Sequence, residues 1–424
     1  VLEGTIELRS AQYSKGTGFY TTGTYSIEVI PTTISTHFYV YTGFGQSSIT
    51  NITVQEIQTD TPRIDFTNDT KGHLLLEPSS TNNIPYSQDF SNSAWTKERA
   101  TINANTSTSP DGSVNASKLI EDTQSGVHSI YEGVAVSNNI YTFSCFVKKS
   151  ERDYCFLQIV TNLGRYTAVF DLVNGVVTDT QTVSSPTNTS NKIEDYGNGW
   201  YRVSVTSSNT ASTTGYFQVG LSNSATPSYG SFKQPTYIGD GVSGVQIWGA
   251  MVEEGDFSTS YIPTTGAAST RNVDICNNSG SAQDFNDSEG VLYAEIASLD
   301  GDEASRFLSV SNSQSDELVR FILSSSNQLK VEMKTLSGSN FTKIMTVDRN
   351  GDFSKVAIQY KSNDYKVYLN GISQSVTQNP NTPSGLNQLA FNRGGCCNVF
   401  YGKVRNVQVF TEALTDEQLQ ELTS

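Results

Sequence analysis

Two short runs near the C-terminus constrain the fold most. Residues 355–360 (KVAIQY) and 366–371 (KVYLNG) each alternate polar and apolar side chains, and a polar turn at 361–364 separates them. A period of two puts every second side chain on one side of a strand, and Asn370-Gly371 suits a tight reversal between strands. Residues 401–410 (YGKVRNVQVF) carry the same alternation. This part of the chain therefore reads as antiparallel sheet with one face turned to a core.

The rest of the 424 residues extends that pattern, with aromatics at 10% and charged residues at 16%. Short Val/Ile/Tyr/Phe runs recur between Gly, Ser, Thr and Asn, as in stacked all-β modules. Helical periodicity is confined to the last ten residues. There Thr415 as N-cap and Gln418 three residues on fit a capping box. The formal net charge of −15 is spread along the chain without a basic stripe. That argues against nucleic acid as a partner and against attraction to anionic membranes. No apolar run is long enough to span a bilayer, so membrane insertion is not expected. The five cysteines include the vicinal pair Cys396-Cys397 and no C-x-x-C. Free buried thiols and assembly in a reducing cytosol are the expectation, with Cys145 and Cys155 close together on neighbouring strands.

Five segments are expected. Residues 1–60 read as the C-terminal part of a β-sandwich, with strands at 25–30, 37–41 and 48–57. Residues 61–84 form an extended, docked connector, because Pro62 and Pro78 disfavour a central strand. Residues 85–263 make one β module, whose strands fall at 140–147, 154–160, 166–172, 199–205, 216–221 and 245–253. Its closing stretch mirrors 48–57, which points to a tandem repeat. A second connector covers 264–289. A final sandwich covers 290–424, with early strands at 291–296, 307–310, 319–323 and 328–333.

The hairpin at 355–371 and the segment 401–422 resemble the laminin-G/concanavalin-A-like sandwich. The stretches 62–97 and 243–264 resemble recurring segments of bacteriophage tail-fibre and virion appendage proteins with carbohydrate-binding-type jelly rolls. Together these resemblances imply tandem jelly rolls followed by a laminin-G-like domain, on a virion surface after assembly in the bacterial cytoplasm. They imply a non-catalytic role in attachment to host-surface polysaccharide, alongside other virion proteins and often as a trimer. The chain departs from fibre proteins in lacking a coiled-coil or β-helical stalk. Two alternatives keep the same modules: the carbohydrate-binding region of a secreted bacterial polysaccharide-degrading enzyme, or a structural virion decoration protein.

No catalytic constellation stands out. The three histidines, His37, His73 and His128, lack a triad pattern, and no G-x-S-x-G or H-E-x-x-H occurs. Alternation in the middle module sets Phe217, Val219 and Leu221 inward and assigns a second face to Tyr154, Gln158, Trp200, Arg202, Tyr216, Gln218, Gln246 and Trp248. Rings, amides and a guanidinium are what a pyranose needs for stacking and hydroxyl contacts. The competing reading has Trp200 and Trp248 cap the core or meet the connector. Asp300, Asp302 and Glu303 supply hard oxygen ligands in one loop, a candidate calcium site and the one cofactor the sequence suggests.

Overall fold

The computed structural model describes residues 63–66, 71–299, 304–324, 327–338, 340–347, 351–378, 380–395 and 398–424, and the backbone of three strands before them. The chain divides into two compact units, Val1–Thr61 and Pro62–Ser424. In the first, Tyr13–Ser14, Ile6–Ser10 and Phe38–Thr42 form an antiparallel three-stranded sheet in that order. The expected strands at 25–30 and 48–57 lie outside the described residues.

The second unit is all-β apart from one helix, Asp416–Thr423. Its first sandwich has two six-stranded antiparallel sheets. The front sheet runs Val176–Ser184, Gly164–Asp171, Tyr154–Thr161, Thr213–Ser222, Ser129–Val136 and Thr96–Glu98. The back sheet runs Ser190–Asp195, Trp200–Asn209, Asn139–Lys149, Gly244–Glu254, Val114–Glu121 and Ala100–Thr108. Inward side chains such as Phe143, Val203, Val205, Leu157, Phe170, Phe217 and Val219 meet between the sheets and are fully buried. Cys145 projects from the back sheet and Cys155 from the front sheet into this core, both as free thiols. Burial pushes the Cys145 thiol up to about 12, so it stays protonated and inert.

The second sandwich pairs a seven-stranded with a five-stranded sheet. The larger runs Ile372–Gln374, Lys366–Leu369, Ser354–Lys361, Glu289–Ala297, Gly402–Phe410, His73–Leu76 and Ile64–Asp65. The smaller runs Phe341–Thr346, Gln328–Lys334, Leu318–Ser324, Arg306–Ser311 and Gln388–Ala390. The terminal helix has the capping box read from the sequence: Gln418 donates its backbone N–H to the Thr415 side chain, and the Gln418 side chain accepts from the Thr415 N–H. Its Leu419 packs with Val291, Tyr293, Ala357 and Tyr368 on the outside of the larger sheet.

The first connector is itself woven into both sandwiches of this unit. Leu74–Leu76 pairs with Val404–Gly402 in the second sandwich. A few residues on, Ser80–Asn82 pairs with Arg271–Ser269 of the later connector. Asn82 is fully buried; its amide donates to the Ala250 and Ile262 carbonyls (3.1 and 2.9 Å) and accepts from the Ile84 and Val252 N–H groups (3.1 Å each). Between these strands Glu77 binds Arg63 (2.5 Å) and Arg271 (3.3 Å), and accepts from the Ser260 N–H (2.9 Å). Asp274 joins the same cluster through Arg63, Arg271 and the Glu77 N–H. The alanine variant Asn82→Ala strands four buried backbone groups, and a loss of about 3 kcal/mol in denaturant unfolding is expected; an unchanged midpoint would contradict this account.

One carboxyl breaks the apolar pattern of the first core. Glu132 shares the inward parity of Ile130 and Val134, is buried, and its Oε2 has no hydrogen-bond partner. Burial raises its pKa from 4.5 to about 7. The folded-state value lies above the unfolded one, so the neutral form is favoured on folding. Its stabilising contribution is intact below about pH 4.5 and is lost as pH rises through 7. Glu132→Gln is therefore expected to flatten the stability–pH curve and to exceed the wild type by on the order of 2 kcal/mol at pH 8.5. Parallel curves for the two proteins would refute it.

Candidate functional site

The eight residues that the sequence assigns to one face do not share one. They divide between the outer faces of the two sheets, with the core between them. Trp200, Arg202, Gln246 and Trp248 belong to the back sheet; Tyr154, Gln158, Tyr216 and Gln218 belong to the front sheet. Alternation within a strand separates inside from outside but does not say which sheet a strand joins, and this is the source of the misassignment.

The back-sheet set is consumed by packing. Trp200, Trp248, Phe146 and Ala116 form a buried cluster against Tyr261. The Trp200 indole donates to the Thr108 carbonyl (3.1 Å), and Arg202 donates to the Thr259 carbonyl (2.6 Å) and the Ser144 hydroxyl (3.0 Å). Its guanidinium also lies over the Phe146 ring, 5.3 Å from the centroid. The segment carrying Thr259 and Tyr261 thus roofs this face, and Tyr261 is fixed by the Ser87 hydroxyl (2.6 Å). Of these four residues only Gln246 is partly exposed, and it accepts from Thr106 (2.7 Å).

The front sheet is roofed at one end and open at the other. Phe156, Val169 and Val127 are buried there with Tyr154 and Tyr229 packed against them. Gln158 and Gln218 are buried but tied into the roof: Gln158 donates to Thr167 (2.7 Å) and to the Phe232 carbonyl (2.9 Å), and Gln218 accepts from Gln234 (2.8 Å). Beyond them one cross-strand row remains open. Strand pairing sets Gly133, Tyr216, Val160 and Arg165 side by side on four adjacent strands. Tyr216 is 45% exposed and Phe232, at the lip of the roof, 55%. Tyr131 meets Tyr216 edge-to-face at 6.1 Å. Gly133 leaves the space for this: a Cβ there would come within 3.2 Å of the Tyr216 ring. Arg165 lies over the Phe232 ring at 4.2 Å and donates to Gln158 Oε1 (3.1 Å).

This open row is an aromatic floor beside a guanidinium on a rigid sheet. It can stack on the C–H faces of a ring and offer planar donors to oxygen atoms. Sequence reasoning named Tyr216, Gln158 and Gln218 but missed Tyr131, Arg165 and Phe232. Residues 129–136 were not read as a strand, Arg165 sits one residue before the segment that was, and Phe232 lies in a loop.

A second concavity, of about 740 Å³, lies between the two sandwiches, lined by His73, Lys192, Glu194, Glu295, Phe353, Lys403 and Arg405 among others. Two of its cations already hold partners: Arg405 pairs with Glu295 (3.1 Å) over the Phe353 ring, and Lys192 with Glu194 (2.8 Å). His73 is buried in contact with Asp65 (3.3 Å), and His128 is buried between the Arg99 and Tyr237 carbonyls (2.8 and 3.3 Å). Asp300, Asp302, Glu303 and His37 lie outside the described residues. Among the described residues no group of three or more His, Cys, Asp or Glu could hold a metal ion.

The unit is thus a pair of β-sandwiches, the second of concanavalin-A-like form. Residues 290–420 match the family model of the concanavalin A-like lectin/glucanases superfamily. No curated protein matches the chain in sequence. Among solved structures, the chain is similar to the CBM40 of the Ruminococcus gnavus IT-sialidase bound to alpha2,3 sialyllactose, at 18% identity and a TM-score of 0.29, over 33% of this chain and 84% of that one. It is also similar to mouse laminin alpha1 domains LG4-5, at 10% identity and a TM-score of 0.24, over 68% and 86%. A heptameric SAP-like pentraxin from Limulus polyphemus aligns at 18% identity and a TM-score of 0.27, over 32% and 70%. Similarity at this level carries no argument about ligands.

The two faces make opposite predictions for stability. Trp200→Ala empties a buried site and is expected to cost about 3–5 kcal/mol. Tyr216→Ala, on the open row, is expected to change stability by less than about 1 kcal/mol. Thermal or denaturant melts that rank the two the other way would show that the open row is structural.

Proposed function

We propose that the chain is a non-catalytic attachment protein that holds host-surface polysaccharide through the open front-sheet row, as part of a phage virion appendage. The observation that carries the glycan reading is the row itself: Tyr216, Tyr131 and Phe232 expose ring surface next to Arg165 on a sheet that the core keeps rigid. Aromatic side chains in water are normally covered, and a cluster left open beside planar polar groups suits a sugar. Support for a virion setting is the resemblance of the stretches 62–97 and 243–264 to phage appendage proteins. A single shallow row binds weakly, and many copies on one particle would raise avidity by roughly a hundredfold or more.

The test is retention on a panel of bacterial capsular and lipopolysaccharide glycans. Wild type is expected to bind at least one, and Tyr216→Ala to lose at least about tenfold in affinity while melting like the wild type. Equal retention of wild type and Tyr216→Ala would move the site elsewhere. Failure of the wild type on every host glycan would remove the attachment role.

A further inference from the structure

The open row contains a cation with no anion. Arg165 is partly buried, and among the described residues no carboxylate pairs with it; burial alone acts on its guanidinium and lowers its pKa. Arg152, Arg271 and Arg320 in the same unit are matched, with Glu121, Glu77 and Glu332, and the buried Arg202, which has no direct ion pair among the described residues, keeps Glu253 and Glu194 in its field. In a chain of net charge −15, Arg165 is partly desolvated and, among the described residues, its contacts are a neutral amide and a ring, so its charge is left uncompensated.

The surroundings also hold Arg165 in one pose. The Phe232 ring lies against one face of its guanidinium, and Gln158 Oε1 accepts from Nη1. Gln158 is itself fixed by Thr167 and the Phe232 carbonyl, so the acceptor cannot drift. No protein acceptor takes the Nε or Nη2 protons among the described residues, and these form the edge that a carboxylate grips with two parallel hydrogen bonds. Tyr216 lies two strands away on the same face, with only Val160 between. Two strand spacings are about 10 Å, roughly the length of a disaccharide.

We infer that this row selects carboxylated saccharides, with the acid group of one sugar on Arg165 and the ring of its neighbour on Tyr216. The inference rests on the glycan-binding reading above and adds the charge class of the ligand. A uronic-acid polymer is the simplest ligand of this kind. Arg165 then supplies most of the discrimination, and the aromatic floor supplies binding that ignores charge.

The test compares oligogalacturonate with its carboxyl-reduced counterpart, by calorimetry on the full chain, for wild type, Arg165→Gln, Arg165→Lys and Tyr216→Ala. The expected result is at least tenfold tighter binding of the acid form by wild type. Arg165→Gln should bring the acid form down to the level of the reduced one, and Arg165→Lys should restore part of the difference. Tyr216→Ala should weaken both forms together. Equal binding of the two forms by wild type, or an acid preference that survives Arg165→Gln, overturns the selectivity while leaving the glycan reading in place. If neither form binds, the selectivity for uronates fails; if the host-glycan panel is also empty, the glycan reading fails with it.

Discussion

The arrangement of the second unit depends on the ionic cluster of Glu77, Arg63, Arg271 and Asp274 and the buried amide of Asn82 beside it. These groups come from the two connectors, which would otherwise be free tethers. Each carboxylate takes hydrogen bonds from both side chains and backbone, so the buried charge is compensated. The strands on either side, Leu74–Leu76 and Ser80–Asn82, then join one to each neighbourhood. The result is a joint in which the backbone at residues 74–77 and 80–84 of the first connector is hydrogen-bonded, as buried backbone must be.

The joint also explains the asymmetry of the two outer faces. The chain that leaves the back sheet at Glu254 turns over that sheet before reaching the later connector, and so Trp200, Arg202 and Trp248 are covered by Thr259 and Tyr261. Among the described residues no connector crosses the open end of the front sheet. Its roof among the described residues is the loop carrying Tyr229, Phe232 and Gln234, which leaves Tyr216 45% exposed. The open row is what packing left uncovered.

Much of this was legible in the sequence where side chains alternate strongly. The strands Asn139–Lys149, Tyr154–Thr161, Glu289–Ala297 and Leu318–Ser324 contain the expected runs, and the capping box at Thr415 is present. Strands such as Ala100–Thr108, Val176–Ser184 and Ser190–Asp195 were not read, because Thr, Ser and Asn fill them and they sit at or near sheet edges with little apolar surface. The candidate site was half legible. Parity identified Tyr216 as outward, but which outward residues stay exposed depends on loops that return from distant positions. The pairing of Arg165 with Phe232 is of that kind, and no local pattern announces it.

The strand at His73–Leu76 has a practical consequence for anyone dissecting the chain. The portion recognisable by family pattern begins at residue 290, yet the sheet it forms takes in backbone from far upstream. A fragment cut at that recognisable boundary would present the bare flank of Gly402–Phe410, a template for pairing with another copy. Self-association of such a truncation would then report a missing piece of architecture rather than a native oligomer.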